Sequence, residues 1–171
     1  SPDFGVQGVV DRFKQIEPKI LITSDHYFYN GKRIDILEKV NKVLEEIPSI
    51  NEVLVFSYNK KEKLNLDNFK DFDEVLNQSE LDETFERFEF NHPIYILYSS
   101  GTTGKPKGAI HSQRSLLAGA LSVVRAWEWT ESDCLLLCLP LFHIHGMGIG
   151  LHGTLLVGGS AVLQKGFKQD L

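Results

Sequence analysis

Cysteine is scarce in this sequence, and its two residues, Cys134 and Cys138, are too few for a disulfide framework. Both lie in or beside the apolar run of residues 135–139, so we expect buried, reduced thiols. Disulfide-stabilised secreted domains are thereby excluded as a class. The sequence instead predicts a reducing compartment, the cytoplasm.

Long apolar runs are also lacking. No stretch approaches the roughly 20 apolar residues that span a bilayer, and the first residues contain no basic segment followed by an apolar one. The sequence therefore predicts neither an integral membrane segment nor a signal peptide. The formal net charge of -5 argues against nonspecific nucleic-acid binding. The composition leaves the oligomeric state open.

Charge and glycine are unevenly distributed along the chain. Up to residue 91 there are 19 acidic and 12 basic side chains, whereas the remaining residues include 4 acidic and 6 basic ones. Eleven of the 14 glycines lie between Gly101 and Gly166. The second part of the chain is thus glycine-rich and slightly cationic, which suits a bound polyanion.

The hydrophobic pattern predicts an α/β fold with three layers of sheet and helix. Residues 18–23 and 53–56 are typical of buried strands, and apolar residues recur at helical spacing from Ile34 to Ile47 between them. This order predicts a parallel strand–helix–strand unit. Both ends look cut, so we expect residues 1–171 to form one partial domain. Later elements are predicted as a buried strand at 94–98, a helix from 112, a strand at 134–139, a glycine-broken helix at 145–157 and a strand at 160–163.

The most informative stretch is residues 98–108, which combine glycines, hydroxyl groups and lysines. Glycines let backbone amides approach an anion closely, hydroxyls donate hydrogen bonds to phosphate oxygens, and lysines supply positive charge. Because the loop follows a predicted strand, we expect it at the carboxyl edge of a sheet, where ligands bind in open α/β folds. The predicted phosphate-binding residues are Ser99, Ser100, Gly101, Thr102, Thr103, Gly104, Lys105 and Lys107.

Two alternatives to this interpretation stay open. A solvated surface loop has a similar composition. A Walker-type P-loop requires G-x-x-x-x-G-K-[ST], but Gly104 and Lys105 are followed here by Pro106, which would interrupt the helix that begins at a Walker lysine. The residues therefore disfavour a P-loop NTPase.

Residues 99–108, preceded by Tyr98, resemble without gaps the signature of adenylate-forming enzymes, namely acyl-CoA synthetases, peptide-synthetase adenylation domains and luciferases. The resemblance implies that the loop holds the β- and γ-phosphates of ATP, and that pyrophosphate leaves when a carboxylate attacks the α-phosphate. It also implies a small carboxylic acid as substrate, with Mg²⁺ and coenzyme A as cofactors and Thr102 as a candidate metal ligand. The other metal and ribose ligands of the resembled family and its catalytic lysine lie downstream, and their motifs do not occur in this sequence.

The resemblance changes along the chain. Residues 1–107 are similar to acetoacetyl-CoA synthetases, for example at residues 29–32. Residues 108–171 instead resemble malonyl-CoA and medium-chain acyl-CoA synthetases, through residues 139–148. Both parts imply an AMP-forming acid–thiol ligase, and they differ in the acid that they imply. A non-catalytic nucleotide-binding module is the alternative from another functional class.

Two histidines, His143 and His145, stand two residues apart and would face the same way in an extended segment. They could be packed or capping residues, or part of the wall of an acyl pocket. The resemblance places His143 near the substrate carboxylate, which makes it the candidate catalytic residue. A third interpretation is a zinc site that adds Cys134, Cys138 or His152.

Gly146, Gly148 and Gly150 follow these histidines and would leave room for an acyl group, or would permit close packing of a helix against a strand. Lys32 follows a predicted turn at residues 30–31. In related acetyl-CoA-type synthetases a base in this neighbourhood meets the 3′-phosphate of coenzyme A, so the resemblance makes Lys32 a candidate coenzyme A ligand. A solvated turn is the alternative.

Overall fold

The computed structural model describes residues 4–29, 31–59, 68–78, 84–99 and 105–164. The chain divides into two compact units, Ser1–Phe85 with Ser100–Lys107, and Glu86–Ser99 with Gly108–Leu171. Each unit combines strands and helices, which confirms the predicted α/β class. Among the described residues, no helix has the length and apolar content needed to cross a bilayer.

The first unit is built on a parallel sheet. Strands β1 (Ile20–Ser24), β4 (Glu52–Phe56) and β5 (Lys70–Asp71) lie in the order β1-β4-β5, and both pairs are parallel. Helix α2 (Leu37–Glu46) connects β1 to β4, as the hydrophobic spacing predicts. The remaining elements are α1 (Val6–Phe13), a 3-10 turn (Lys14–Ile16), the antiparallel hairpin β2 (His26–Tyr29) with β3 (Lys32–Asp35), and α3 (Phe72–Gln78).

The core of this unit lies between α2, α1 and the sheet. Val40 and Val43 of α2 and Ile47, which caps its end, recur three and four residues apart, so they lie on one side of the helix. This face packs against Val10 of α1 and against Val55 of β4, which is fully buried. Burial of an aliphatic side chain of this size stabilises the fold by about 1.5–3 kcal/mol, so these contacts hold the helices to the sheet.

The second unit contains an antiparallel pair and a parallel pair of strands. Strands β6 (Pro93–Tyr98) and β7 (Gly108–Ser112) are antiparallel, and β8 (Cys134–Leu137) pairs in parallel with β9 (Ser160–Leu163). Helix α4 (Gln113–Ala126) begins where the sequence predicts, because Ser112 and Ser115 each accept a hydrogen bond from the other's backbone N–H. A π-helical segment (His145–Leu151) continues into α5 (His152–Val157), which confirms the glycine-broken helix.

Several predictions of burial were wrong. Ile20 and Ile22 of β1 are each 56% exposed, and Ile94 of β6 is 42% exposed, because no described residues cover those faces of the strands. The thiol of Cys134 is exposed and that of Cys138 is half-buried, so neither is a fully buried core residue. The apolar runs identified the strands, but burial depends on what lies against them.

Candidate functional site

The predicted phosphate loop joins two antiparallel strands. Tyr98 at the end of β6 pairs in register with Gly108 at the start of β7, so residues 99–107 connect the two strands of a hairpin. The loop therefore follows the carboxyl end of a strand, as expected, and the strand that comes after it is antiparallel. The same geometry is unlike a Walker loop, since a strand follows the loop and α4 begins only at Gln113.

Three of the predicted phosphate ligands fall on described residues. The side chains of Ser99, Lys105 and Lys107 are all exposed, as residues that meet a substrate in solution must be before it binds. The other five predicted phosphate ligands lie outside the described residues, namely Ser100, Gly101, Thr102, Thr103 and Gly104. Thr102 is also the predicted metal ligand.

The packing of the hairpin explains Gly108. A Cβ atom at this position would lie 2.8 Å from Cγ2 of Ile96 and 3.1 Å from Cε1 of Tyr98. The glycine is thus needed for close approach of the two strands at the base of the loop. Its role in shaping an anion-binding backbone stays a prediction.

Tyr98 immediately precedes the loop, and its hydroxyl oxygen is buried. Burial raises the pKa of this hydroxyl above its ordinary value of 10.0, because the charged phenolate would lose its hydration. The phenol therefore stays protonated at neutral pH and keeps its capacity to donate a hydrogen bond.

Lys105 and Lys107 lie beside the end of α1, within the first unit. They line an open cavity of about 630 Å³ together with Lys14. Asp11 is the acidic residue among the lining side chains, so three lysines outnumber one carboxylate. Such a balance suits a polyanion with several phosphate groups. Residues 10, 15 and 106 complete the lining.

The sequence did not indicate that α1 belongs to this site. Gln15 donates a hydrogen bond of 3.2 Å from Nε2 to the carbonyl oxygen of Pro106, across 91 residues of chain. Local patterns of spacing and composition carry no information about a contact of this separation. The hydroxyls, glycines and lysines of the loop could be recognised from adjacent residues, whereas its neighbours could not.

His145 begins the π-helical segment and His143 lies two residues before it, so the two histidines do not form an extended segment. Their rings stack with centroids 5.3 Å apart, and Nδ1 of His143 accepts a hydrogen bond of 3.3 Å from the backbone N–H of His145. This local hydrogen bond holds the ring of His143 near the first residue of the π-helical segment, whose cap residue is Ile144. Because Nδ1 is the acceptor, the neutral ring of His143 carries its proton on Nε2, where it can be donated to another group.

The zinc interpretation finds no support in the described part of the chain, which holds no group of three or more histidine, cysteine, aspartate or glutamate side chains placed to bind a metal. Both histidine side chains are exposed. His143 therefore remains a candidate for contact with a substrate through Nε2, and its role in catalysis stays a prediction.

The three glycines of the π-helical segment are buried and tightly packed. A Cβ atom at Gly146 would overlap the carbonyl oxygen of Pro140, and one at Gly148 would lie 2.6 Å from Cδ1 of Ile144. At Gly150 it would lie 2.8 Å from Cδ1 of Leu137 in β8. Close packing therefore accounts for these glycines, and space for an acyl group stays a prediction.

Lys32 begins β3, directly after Gly31, whose φ of 75° favours glycine in this turn. The side chain of Lys32 is exposed at the tip of the hairpin. A contact with coenzyme A is compatible with this position and stays a prediction.

A buried contact between a carboxylate and an imidazole, which the sequence did not reveal, lies at the other end of the same hairpin. Asp25 and His26 are 3% and 1% exposed, and Oδ2 of Asp25 lies 2.8 Å from Nδ1 of His26. Oδ1 of Asp25 accepts hydrogen bonds from the backbone N–H groups of His26 and Tyr58. Burial alone would raise the pKa of Asp25, but these hydrogen bonds and the contact with His26 outweigh it and lower the pKa below 3.8.

Comparison with known proteins agrees with the family resemblance of the sequence. The family model described as "AMP-binding enzyme" matches residues 1–171. The chain belongs to the AMP-binding enzyme family. The matched region therefore includes the loop, both histidines and the hairpin that contains Lys32.

Relatives of this AMP-binding enzyme include curated acetoacetyl-CoA synthetases. The protein from Xenopus tropicalis is 46% identical over 122 residues, which are 66% of this chain and 18% of the relative. The protein from Rattus norvegicus is 38% identical over 151 residues, which are 80% of this chain and 22% of the relative. The chain therefore spans about a fifth of the length of these relatives.

Solved structures give the same comparison at the level of the fold. Acetoacetyl-CoA synthetase from Streptomyces lividans has a TM-score of 0.74 and 31% identity, and the match covers 95% of this chain and 24% of that one. ATP-bound MatB from Rhodopseudomonas palustris has a TM-score of 0.69 and 24% identity, with 97% and 29% covered. The similarity to MatB, at this level of identity, shows a shared fold.

Proposed function

We propose that this AMP-binding enzyme is part of an acyl-CoA synthetase that activates acetoacetate with ATP and transfers it to coenzyme A. The observation that carries the proposal is the loop of residues 99–107, with Lys105 and Lys107 exposed on an open, lysine-lined cavity. Acetoacetate is proposed because the relatives named above are acetoacetyl-CoA synthetases. Residues 1–171 would belong to the large N-terminal domain of the longer enzyme.

The reaction requires two displacements. A carboxylate oxygen of the acid attacks the α-phosphorus of ATP, and the bond to the bridging oxygen breaks to release pyrophosphate. The sulfur of coenzyme A then attacks the acyl carbonyl, its proton is lost to solvent, and AMP leaves. Negative charge grows on the departing pyrophosphate in the first step, and we assign its stabilisation to Lys105, Lys107 and the hydroxyls of the loop.

The remaining roles follow from the same assignment. Nε2–H of His143 would donate to the acid's carboxylate, and Lys32 would meet the 3′-phosphate of coenzyme A. Mg²⁺ keeps few protein ligands and takes most of its oxygens from phosphates and water, so the Thr102 hydroxyl would be one ligand of a magnesium ion held by ATP. The two cysteines are free rather than disulfide-bonded among the described residues, in keeping with a cytoplasmic location.

Acid-dependent exchange of labelled pyrophosphate into ATP tests the proposal in the full-length enzyme. We expect the fastest exchange with acetoacetate, compared with acetate, malonate and a medium-chain fatty acid. No exchange with any of these acids in a folded protein would contradict the function. Hydrolysis of ATP to ADP without an acid would instead identify an NTPase.

A further inference from the structure

We propose that Gln15 is a positioning residue for the phosphate loop, which it holds through the carbonyl oxygen of Pro106 between the two lysines. The inference rests on the proposed function, because it assigns Lys105 and Lys107 to the ATP phosphates. Gln15 itself lies in the 3-10 turn that follows α1, and we assign it no contact with the acid or with ATP.

The side-chain amide of Gln15 bridges two carbonyl oxygens. Nε2 donates to the carbonyl oxygen of Asp11 at 2.5 Å and to that of Pro106 at 3.2 Å. Since both partners can only accept, the amide nitrogen rather than its oxygen must face them, which settles the orientation of the side chain. Both hydrogens of the amide are thereby used.

The first of these hydrogen bonds anchors the side chain to the helix. The carbonyl of Asp11 belongs to the last turn of α1, where carbonyl groups have no partner within the helix. Gln7 lies four residues before Asp11 on the same face and donates from Nε2 to Oδ1 of Asp11 at 2.6 Å. The bond from Gln7 ends on the side chain of Asp11, whereas the bond from Gln15 ends on the backbone carbonyl, so the anchor of Gln15 does not depend on Gln7.

The second hydrogen bond holds the loop at Pro106, the residue between the two lysines. Pro106 has no N–H group and a fixed φ, so its carbonyl is the backbone hydrogen-bonding group through which this residue can be held. Lys105 and Lys107 flank it and line the same cavity as Gln15. A displacement of Pro106 therefore moves both lysines relative to the phosphates that they are proposed to bind.

Gln15→Met in the full-length enzyme removes the donor and keeps the length of the side chain. A hydrogen bond of this kind has a modest net effect, so we expect the Michaelis constant for ATP in pyrophosphate exchange to rise about threefold to tenfold. The Michaelis constant for coenzyme A should not change. Gln15→Glu, which accepts but cannot donate, should raise the Michaelis constant for ATP as well.

Gln7→Met is the matched control, since it removes the same chemical group from the same face of α1 but leaves the bond to Pro106. It should change neither Michaelis constant. Both positions are exposed, so the thermal midpoints of all three variants should equal that of the original enzyme.

Trypsin gives a readout that does not depend on activity. It cleaves after Lys107 but not between Lys105 and Pro106, and cleavage tracks the population in which the loop is released. Gln15→Met should speed cleavage after Lys107 about threefold to tenfold, while Gln7→Met should not. Faster cleavage together with a higher Michaelis constant for ATP supports the proposal.

Unchanged cleavage overturns the proposal, whatever the activity, because the loop is then not held by Gln15. Faster cleavage with an unchanged Michaelis constant for ATP also overturns it, since the loop's position would not matter for ATP. If the original enzyme catalyses no pyrophosphate exchange, the proposed function is refuted, and with it the role of Gln15 in that function. Faster cleavage of Gln15→Met would in that case still show that Gln15 holds Pro106.

Discussion

Lysine side chains of equal charge occupy different surroundings in this molecule. Lys107 follows Pro106 in the loop and shares a cavity with Lys14 and Lys105, whereas Lys32 stands at the tip of a hairpin. A charge that acts on a departing pyrophosphate lowers the barrier to the first displacement. A charge that only binds coenzyme A has no part in that displacement.

Lys107→Ala should therefore slow acid-dependent pyrophosphate exchange about a hundredfold, or by ~3 kcal/mol, because a donor to developing charge is lost. Lys32→Ala should leave exchange unchanged and raise the Michaelis constant for coenzyme A in the complete reaction, because it removes uniform binding. Each variant is measured in both assays. Loss of exchange in Lys32→Ala with normal exchange in Lys107→Ala would show that the phosphate site is assigned to the wrong residues.

The buried pair of Asp25 and His26 predicts a stability effect. Asp25→Ala leaves His26 and the N–H group of Tyr58 without their buried acceptor, so the free energy of unfolding should fall by about 3–5 kcal/mol. Asp35→Ala is the control, since Asp35 pairs with Arg33 on the surface of the same hairpin, where such pairs contribute about 1 kcal/mol or less. Chemical denaturation at neutral pH measures both.

The pH dependence of this difference has a definite sign. The pKa of Asp25 is lower in the folded state than its ordinary value of 3.8, so folding favours the ionised carboxylate. The contribution is complete above the ordinary pKa and is lost as the pH falls through the lower, folded pKa. The gap in unfolding free energy between the original enzyme and Asp25→Ala should shrink below about pH 4. A gap that widens on acidification would contradict the assignment.

At the scale of elements, the π-helical segment depends on glycine for its packing. Gly146→Ala should lower the free energy of unfolding by about 1–3 kcal/mol, because the added methyl group overlaps backbone atoms of Leu139 and Pro140 that cannot rotate away. Gly119→Ala in α4 is the matched control. It meets nothing within 4 Å and should stabilise the helix by about 0.4–1 kcal/mol.

Denaturation midpoints of the two glycine variants distinguish packing from a role in the acyl pocket. If Gly146 instead provided space for the acid, its alanine variant would keep its midpoint and show a higher Michaelis constant for acetoacetate. Equal midpoints in Gly146→Ala and Gly119→Ala would thus contradict the packing role.

The elements that could be predicted from the sequence are those with a repeated apolar pattern or a cap. The pattern of α2 between β1 and β4 predicted the parallel unit, and Ser112 marked the start of α4. Ile34 was assigned to the helix by its spacing, but it lies in β3, because hairpin pairing with Tyr27 overrides helical periodicity there. The short strand β5 was missed for a related reason, since two residues carry no period and pair only because β4 is adjacent.

The candidate site shows the same difference between local patterns, which can be read from the sequence, and long-range contacts, which cannot. The hydroxyls and lysines of the loop could be recognised from adjacent residues, whereas the proposed role of His143 came from the family resemblance. The contact of Gln15 with Pro106 and that of Asp25 with Tyr58 join residues 91 and 33 positions apart. Such contacts are created by the packing of elements and leave no local pattern, so they appear only in the folded chain.

At the scale of the whole molecule, apolar side chains remain uncovered in both units. Besides Ile20 and Ile22 in the first unit, Leu136 and Val162 in the second are more than half exposed. Exposed apolar faces on strands are typical sites of association. Because the chain spans about a fifth of the length of its acetoacetyl-CoA synthetase relatives, we infer that other parts of the longer enzyme cover these faces.

Residues 1–171 produced alone should consequently form no acyl-CoA and should self-associate. The resembled family takes its metal-binding glutamate, its ribose-binding aspartate and its catalytic lysine from downstream motifs that this sequence does not contain. Formation of acetoacetyl-CoA by the isolated chain would show that its own residues suffice.

Self-association is measured by sedimentation and by binding of a dye that fluoresces on apolar surfaces. Ile20→Lys places a charge on an exposed strand position, where a lysine opposes pairing with a second chain. We expect this variant to reduce both signals without loss of helical circular dichroism. Unchanged association would show that the chains associate through another surface.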